Sequence, residues 1–161
     1  DVPRFTDKRM DNFLFLGLIK RAFPDALIIH TMRNPIDNFL SMFFLPFADG
    51  LTYANDLDDM LHYYRQYRRL MAHWEQCFGS DILTVRYDTL VQQPEAVLAG
   101  LKVKLGAAAA APANSQIIRT ASVWQVRQPV HARSSGRWRN YAAQVGELAD
   151  LLRREFPDIS Q

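Results

Sequence analysis

Arg33, Asn34, Pro35, Asp37 and Ser41 stand within nine residues, directly after a short apolar run. An arginine at that point offers a planar fork suited to phosphate oxygens. Asn34 is a good helix N-cap and Pro35 a good first helical residue. A helix begun there presents backbone N–H groups and the positive end of its dipole to an anion. Asn34, Asp37 or Asn38, and Ser41 share one helix face, so a Ser41 hydroxyl could donate to a phosphate beside Arg33. The plainer reading is an arginine capping a strand and a serine tolerated mid-helix, and spacing alone leaves both open. A second basic concentration comprises Arg127, His131, Arg133, Arg137 and Arg139, among the hydroxyls of Thr120, Ser122, Ser134 and Ser135. With Trp124, Trp138 and Tyr141 it suits a loop closing over an anionic, purine-bearing ligand by charge and stacking. A solvated basic loop is the alternative.

Other chemistries are poorly represented. There is no complete Walker-type phosphate loop and no Gly-x-Ser-x-Gly nucleophile elbow. His30, His62, His73 and His131 are too far apart for a compact helical metal motif, and no metal is expected. The single cysteine, Cys77, excludes an internal disulfide framework and reads as a small core or boundary residue. His62 and His73 read as helix-surface residues.

The elements that must position the first cluster follow from periodicity. Phe15, Leu18, Ile19 and Ala22 make an apolar helix stripe between Asn12 and Phe23. Ala26 to Thr31 is a nearly continuous apolar run, which suits a strand buried on both faces of a parallel sheet. A helix from Pro35 to about Phe44 follows. The next helix starts near Asn55, carries Leu57, Met60, Leu61, Tyr64, Met71, Trp74 and Phe78, and ends at Gly79. Ile82 to Tyr87 reads as a second strand. Pro94 opens a helix closed by Gly106, and a low-complexity connector spans about 106–114. Val145, Leu148, Leu151, Leu152 and Phe156 form a last amphipathic helix stopped by Pro157. Gln116 to Arg119 is a weak third strand. The pattern predicts an α/β fold with a parallel sheet flanked by helices.

The chain has 161 residues, 48% of them hydrophobic and 22% charged, which is one globular domain's worth. A net charge of +2 does not point to nucleic acid, and no apolar run is long enough to span a membrane as a helix. Two firm strands cannot make an independently stable sheet. The expectation is that residues upstream of Asp1 complete it, leaving Ala26 to Thr31 with an open edge.

The motifs also resemble a known family. Thr6-Asp7-Lys8, Asn12-Phe13, Leu16-Gly17-Leu18-Ile19, Phe23-Pro24 and Arg33-Asn34-Pro35-x-Asp37-x-x-x-Ser41 are similar to strings of the sulfotransferase superfamily. So are Val85-Arg86-Tyr87-Asp88-Thr89-Leu90-Val91, Thr120-Ala121-Ser122-x-x-Gln125-Val126-Arg127-Gln128-Pro129-Val130 and Ser135-Gly136-Arg137-Trp138-x-x-Tyr141. The nearest branches are bacterial sulfotransferases often fused to tetratricopeptide repeats and, more distantly, the tyrosylprotein sulfotransferases. The resemblance implies a P-loop-NTPase-like sulfotransferase fold and transfer of a sulfuryl group from 3′-phosphoadenosine 5′-phosphosulfate, PAPS, to a hydroxyl or amine. The product nucleotide would be adenosine 3′,5′-bisphosphate, PAP. The acceptor would be a small molecule, glycan or peptide, and a cytoplasmic location and a homo-oligomer are compatible with the family. Carried over by position, Arg33 and Ser41 hold the 3′-phosphate, and Tyr87 lies beside the adenosine. Ser122 and Arg137 contact donor phosphate from the closing loop. Lys8 matches a catalytic lysine near the transferring sulfate.

Two departures accompany the match. The family's first phosphate-binding element, a strand–Gly-loop–helix, has no counterpart here, and neither does the acidic or histidine base that follows it. Leu45 stands where the tyrosylprotein branch has a second arginine. The expectation is therefore a single domain, residues 1–161, forming the carboxyl-terminal two-thirds of a sulfotransferase and inactive alone. A non-catalytic nucleotide- or anion-binding module that keeps only the 3′-phosphate half-site is the alternative. A helical partner-binding domain becomes the better reading if Arg33 pairs with Asp37.

Overall fold

In the computed structural model, residues 6–44, 51–106 and 132–160 are described. The helices in chain order are α1 (Leu16–Ala22), α2 (Pro35–Phe43), α3 (Leu57–Phe78), α4 (Tyr87–Gln92), α5 (Pro94–Leu105) and α6 (Ala142–Glu155). Among the described residues, β1 (Ile28–Met32) and β2 (Ile82–Arg86) form a parallel two-stranded sheet in which β1 pairs with β2 alone. The fold is mixed α/β and mostly helical, and the sulfotransferase fold is consistent with it. The Gln116 to Arg119 strand and all but the first residue of the 106–114 connector fall outside the described residues. The chain divides into two compact units, Asp1–His30 with Pro46–Leu83 and Thr31–Leu45 with Thr84–Gln161.

The first unit is organised by α3. Asp56 caps it, its carboxylate accepting from the N–H groups of Asp58 at 2.8 Å and Asp59 at 3.1 Å. Met60, Leu61, Tyr64 and Met71 are its buried face. The Trp74 indole donates to the Phe13 carbonyl at 2.8 Å, and Phe13 meets Tyr63 and Tyr67 edge-on. Gly17 permits the close approach of α1, because a Cβ there would lie 3.0 Å from the Trp74 ring.

Two expectations fail in this unit. Phe15 and Leu18 do not form a buried stripe; Leu18 is 70% exposed, and α1 turns Leu16 and Lys20 inward instead. The 3₁₀ turn at Asn12–Phe15 takes Phe15 out of the α-helical register, and within α1 the partners of Lys20 set the inward face. Cys77 is exposed rather than a core residue, on the side of α3 away from its apolar face and 3.6 Å from the His73 imidazole. His62 and His73 are exposed as expected.

Lys20 is the polar centre of the unit. Only 9% exposed, its ammonium donates to the carbonyls of Pro24 and Ala26 and pairs with Asp81 at 2.7 Å. Three donors meet three acceptors. Because Ala26 lies just before β1 and Asp81 just before β2, one buried charge fixes the entry of both strands.

His30 in the middle of β1 bonds the Tyr67 hydroxyl through Nε2, while its Nδ1 is buried without a hydrogen-bond partner among the described residues. Burial first, and the Arg68 charge second, hold its pKa below the ordinary 6.5. A depressed histidine pKa means the unfolded chain takes the proton first. Its contribution is complete above about pH 6.5 and is lost as pH falls from there toward the folded value. Melting temperatures at pH 7.5 and pH 5 should therefore differ less in His30→Gln than in the wild type. Identical pH slopes would remove His30 from the account.

The second unit buries Ile36, Phe39 and Leu40 of α2, Val85 of β2, Ala149 and Leu152 of α6, and Ile159. Helices α2 and α6 pack together. The sequence reading carried the second strand through Tyr87, but β2 ends at Arg86 and Tyr87 opens α4. Gly106 closes α5 in the left-handed region at φ 56°, as its position predicted.

Candidate functional site

Parallel pairing places the carboxyl ends of both strands side by side, and the residues that follow them meet there. Arg33 follows β1, Tyr87 follows β2, and the Arg33 guanidinium lies 5.3 Å from the Tyr87 ring centroid. This is the end of an open α/β sheet where ligands bind. Arg33 Nη2 donates to the Ser134 carbonyl at 2.7 Å, whereas Nε is buried with no hydrogen-bond partner among the described residues. A buried donor without an acceptor is costly, and an anionic oxygen at that point would satisfy it.

The helix amides do not contribute as expected. Asn34 Oδ1 accepts from Ile36 at 3.0 Å and Asp37 at 3.4 Å, and the Asn34 N–H donates to Asp88 at 3.3 Å. Pro35 has no N–H, and the Asn38 N–H bonds the Asn34 carbonyl. The residues that make this a good helix start also use its free donors. At this end of α2 the Arg33 Nε–H is a buried donor without a partner among the described residues.

Residues 134–138 lie along α2. Asp37 is 1% exposed, and its two carboxylate oxygens accept from the Gly136 N–H at 2.6 Å and the Trp138 N–H at 2.7 Å. Asp88 bonds the Ser135 hydroxyl with the carboxylate that also holds Asn34. At the far end of α2, Arg137 sits 5.4 Å over the Phe44 ring, and Phe44 contacts Tyr141. Ser41 is half-buried, one turn beyond Asp37 and on the same helical face. Gly136 turns the loop at φ 72°, and a Cβ there would meet Arg139 Nη1 at 2.1 Å. Asp37 and Arg33 form no ion pair, which removes the condition that favoured a helical partner-binding domain.

The structure thus gathers Arg33, Ser41, Tyr87 and Arg137 around α2 in one unit. Lys8 is in the other unit, exposed in a loop where Asp7 accepts from the Asn12 amide and Arg9 pairs with Asp11. Ser122, with Trp124, Arg127 and His131, lies outside the described residues. Asp37 and Asp88 were missed as structural elements of the site. The signal available for Asp37 was its place in the first turn of a helix already capped by Asn34, where its carboxylate is not needed as the cap. Among the described residues, no group of three or more His, Cys, Asp or Glu side chains is placed to hold a metal, and no helix is long and apolar enough to cross a membrane.

The described residues define an α/β protein whose parallel sheet end carries an arginine, an aromatic ring and a basic loop. The chain belongs to the sulfotransferase family, whose family model matches residues 1–111. That span contains Lys8, Arg33, Ser41 and Tyr87 and stops short of Ser122 and Arg137. A curated protein of Aquifex aeolicus (strain VF5), named only as an uncharacterized protein, is 30% identical over 169 residues covering 98% of this chain. The chain spans 22% of that relative's length. No solved structure gives a significant match.

Proposed function

We propose that this sulfotransferase-family chain binds PAPS as sulfuryl donor through Arg33, Ser41, Ser122 and Arg137 at phosphate and Tyr87 beside the adenosine. The observation that carries the reading is the Arg33 guanidinium at the strand end, supported by Tyr87 and left, among the described residues, with one buried donor unsatisfied. Family membership supports sulfuryl transfer in general, and the donor and the individual roles are the proposal. PAPS supplies the sulfuryl group; the chain's own residues bind and orient it. Arg33 neutralises the 3′-phosphate from one end of α2, and Arg137 contacts donor phosphate from the loop. Lys8 is proposed to neutralise charge near the sulfuryl group.

The test compares two nucleotides by calorimetry. PAP should bind at least roughly tenfold more tightly than adenosine 5′-monophosphate, because one charge-assisted phosphate contact is commonly worth about 1.5–3 kcal/mol. Equal affinities would end the donor assignment.

A further inference from the structure

We infer that Asp37 is a positioning residue for the donor site, acting through the backbone of residues 136–138 to set the Arg137 guanidinium; the inference rests on the donor reading above. A carboxylate buried in a region chosen for anions is unfavourable unless its charge is fully used. Asp37 meets that condition with two short bonds, one per oxygen, to Gly136 and Trp138, the neighbours on either side of Arg137. With both flanking amides anchored, residue 137 has little backbone freedom, and its guanidinium rests on Phe44. Gly136 makes the approach possible through its positive φ. Asp88 secures the preceding turn through Ser135.

The chemistry also specifies what cannot replace Asp37. Asparagine has the same shape but one acceptor oxygen, so it keeps one amide and sets its own NH₂ against the other. Glutamate keeps both oxygens but extends them by a methylene in a buried position.

The experiment is a double-mutant cycle on PAP affinity with Asp37→Asn and Arg137→Ala. Each single change should weaken binding about tenfold. The double variant should bind no more weakly than Arg137→Ala alone, because an Arg137 that is no longer placed has nothing left to lose. A merely structural aspartate would give effects that add, and additivity overturns the inference. Amide hydrogen exchange provides a readout that needs no nucleotide: Gly136 and Trp138 should exchange slowly in the wild type and fast in Asp37→Asn. If the wild type fails to discriminate PAP from adenosine 5′-monophosphate, the donor reading falls, and slow exchange at both amides then still upholds the anchoring while fast exchange overturns it. Should Asp37→Asn not fold, Gly136→Ala strains the same turn from the half-buried loop side. That variant should also weaken PAP binding, and wild-type affinity in it would count against the anchoring.

Discussion

Replacing Lys20 by methionine should be among the most destabilising single changes in the first unit, by about 2–3 kcal/mol. Methionine keeps an apolar stem of similar length, so the loss isolates the ammonium. That group donates to the carbonyls of Pro24 and Ala26, which lose their donor, and pairs with Asp81. Losing a charged donor shared by two backbone carbonyls at a part-buried site is what makes the change expensive. Asp81, by contrast, has a side chain 44% exposed and can return to water when its partner is removed. Asp81→Asn should therefore shift the melting temperature far less than Lys20→Met, for which roughly 4–10 °C is expected at this chain length. The hydrogen bond from Lys20 chiefly, and its charge, hold the Asp81 pKa below the ordinary carboxylate value. A depressed carboxylate pKa adds stability above about pH 3.8 that is lost as pH falls below it, and Lys20→Met should remove most of that acid dependence, leaving the smaller part due to Ser80. A Lys20→Met protein melting within one degree of the wild type would show that the strand entries are fixed by something else.

Lys20 also marks where sequence reading stops. The two described strands, the helix cap at Asn34, and the ends at Gly106 and Pro157 were legible because each depends on neighbours in sequence. Arg33 at a strand end was legible for the same reason, and parallel pairing explains why Tyr87 joined it. The three partners of Lys20 include one 61 positions away, and its helical neighbours Leu18 and Ile19 suggested a different inward face. The Asp37 contacts cross 99 and 101 positions. Composition placed a basic loop near residue 137 but carried no information on which carboxylate would hold it. The helix amides were misjudged through a local effect: Asn34 and Asp88 satisfy donors that a bare helix start would have offered to a ligand.

Arg33→Ala should remove most of the preference for PAP over adenosine 5′-monophosphate, lowering PAP affinity at least roughly tenfold and leaving the monophosphate little changed. The two nucleotides differ only by the 3′-phosphate, so the difference in their affinities reports that group. Arg33 is fixed by its own surroundings: the Ser134 carbonyl holds Nη2, and Tyr87 supports the guanidinium plane. Little ordering is then needed when phosphate arrives, which favours a strong contact. Lys8→Ala is the internal control, because PAP lacks the sulfuryl group on which Lys8 is proposed to act. It should bind PAP as the wild type does. Arg137→Ala should resemble Arg33→Ala in direction, since a phosphate contact exists in the ground state as well. Salt sharpens the distinction: raising ionic strength should weaken PAP binding to the wild type more than to Arg33→Ala, because one charge pairing has gone. If Lys8→Ala weakened PAP as much as Arg33→Ala, the division between a phosphate-holding arginine and a sulfuryl-facing lysine would be wrong. If Arg33→Ala left the preference intact, the 3′-phosphate would have to be held by other residues, and the strand-end arginine would be only the partner of Ser134 and Tyr87.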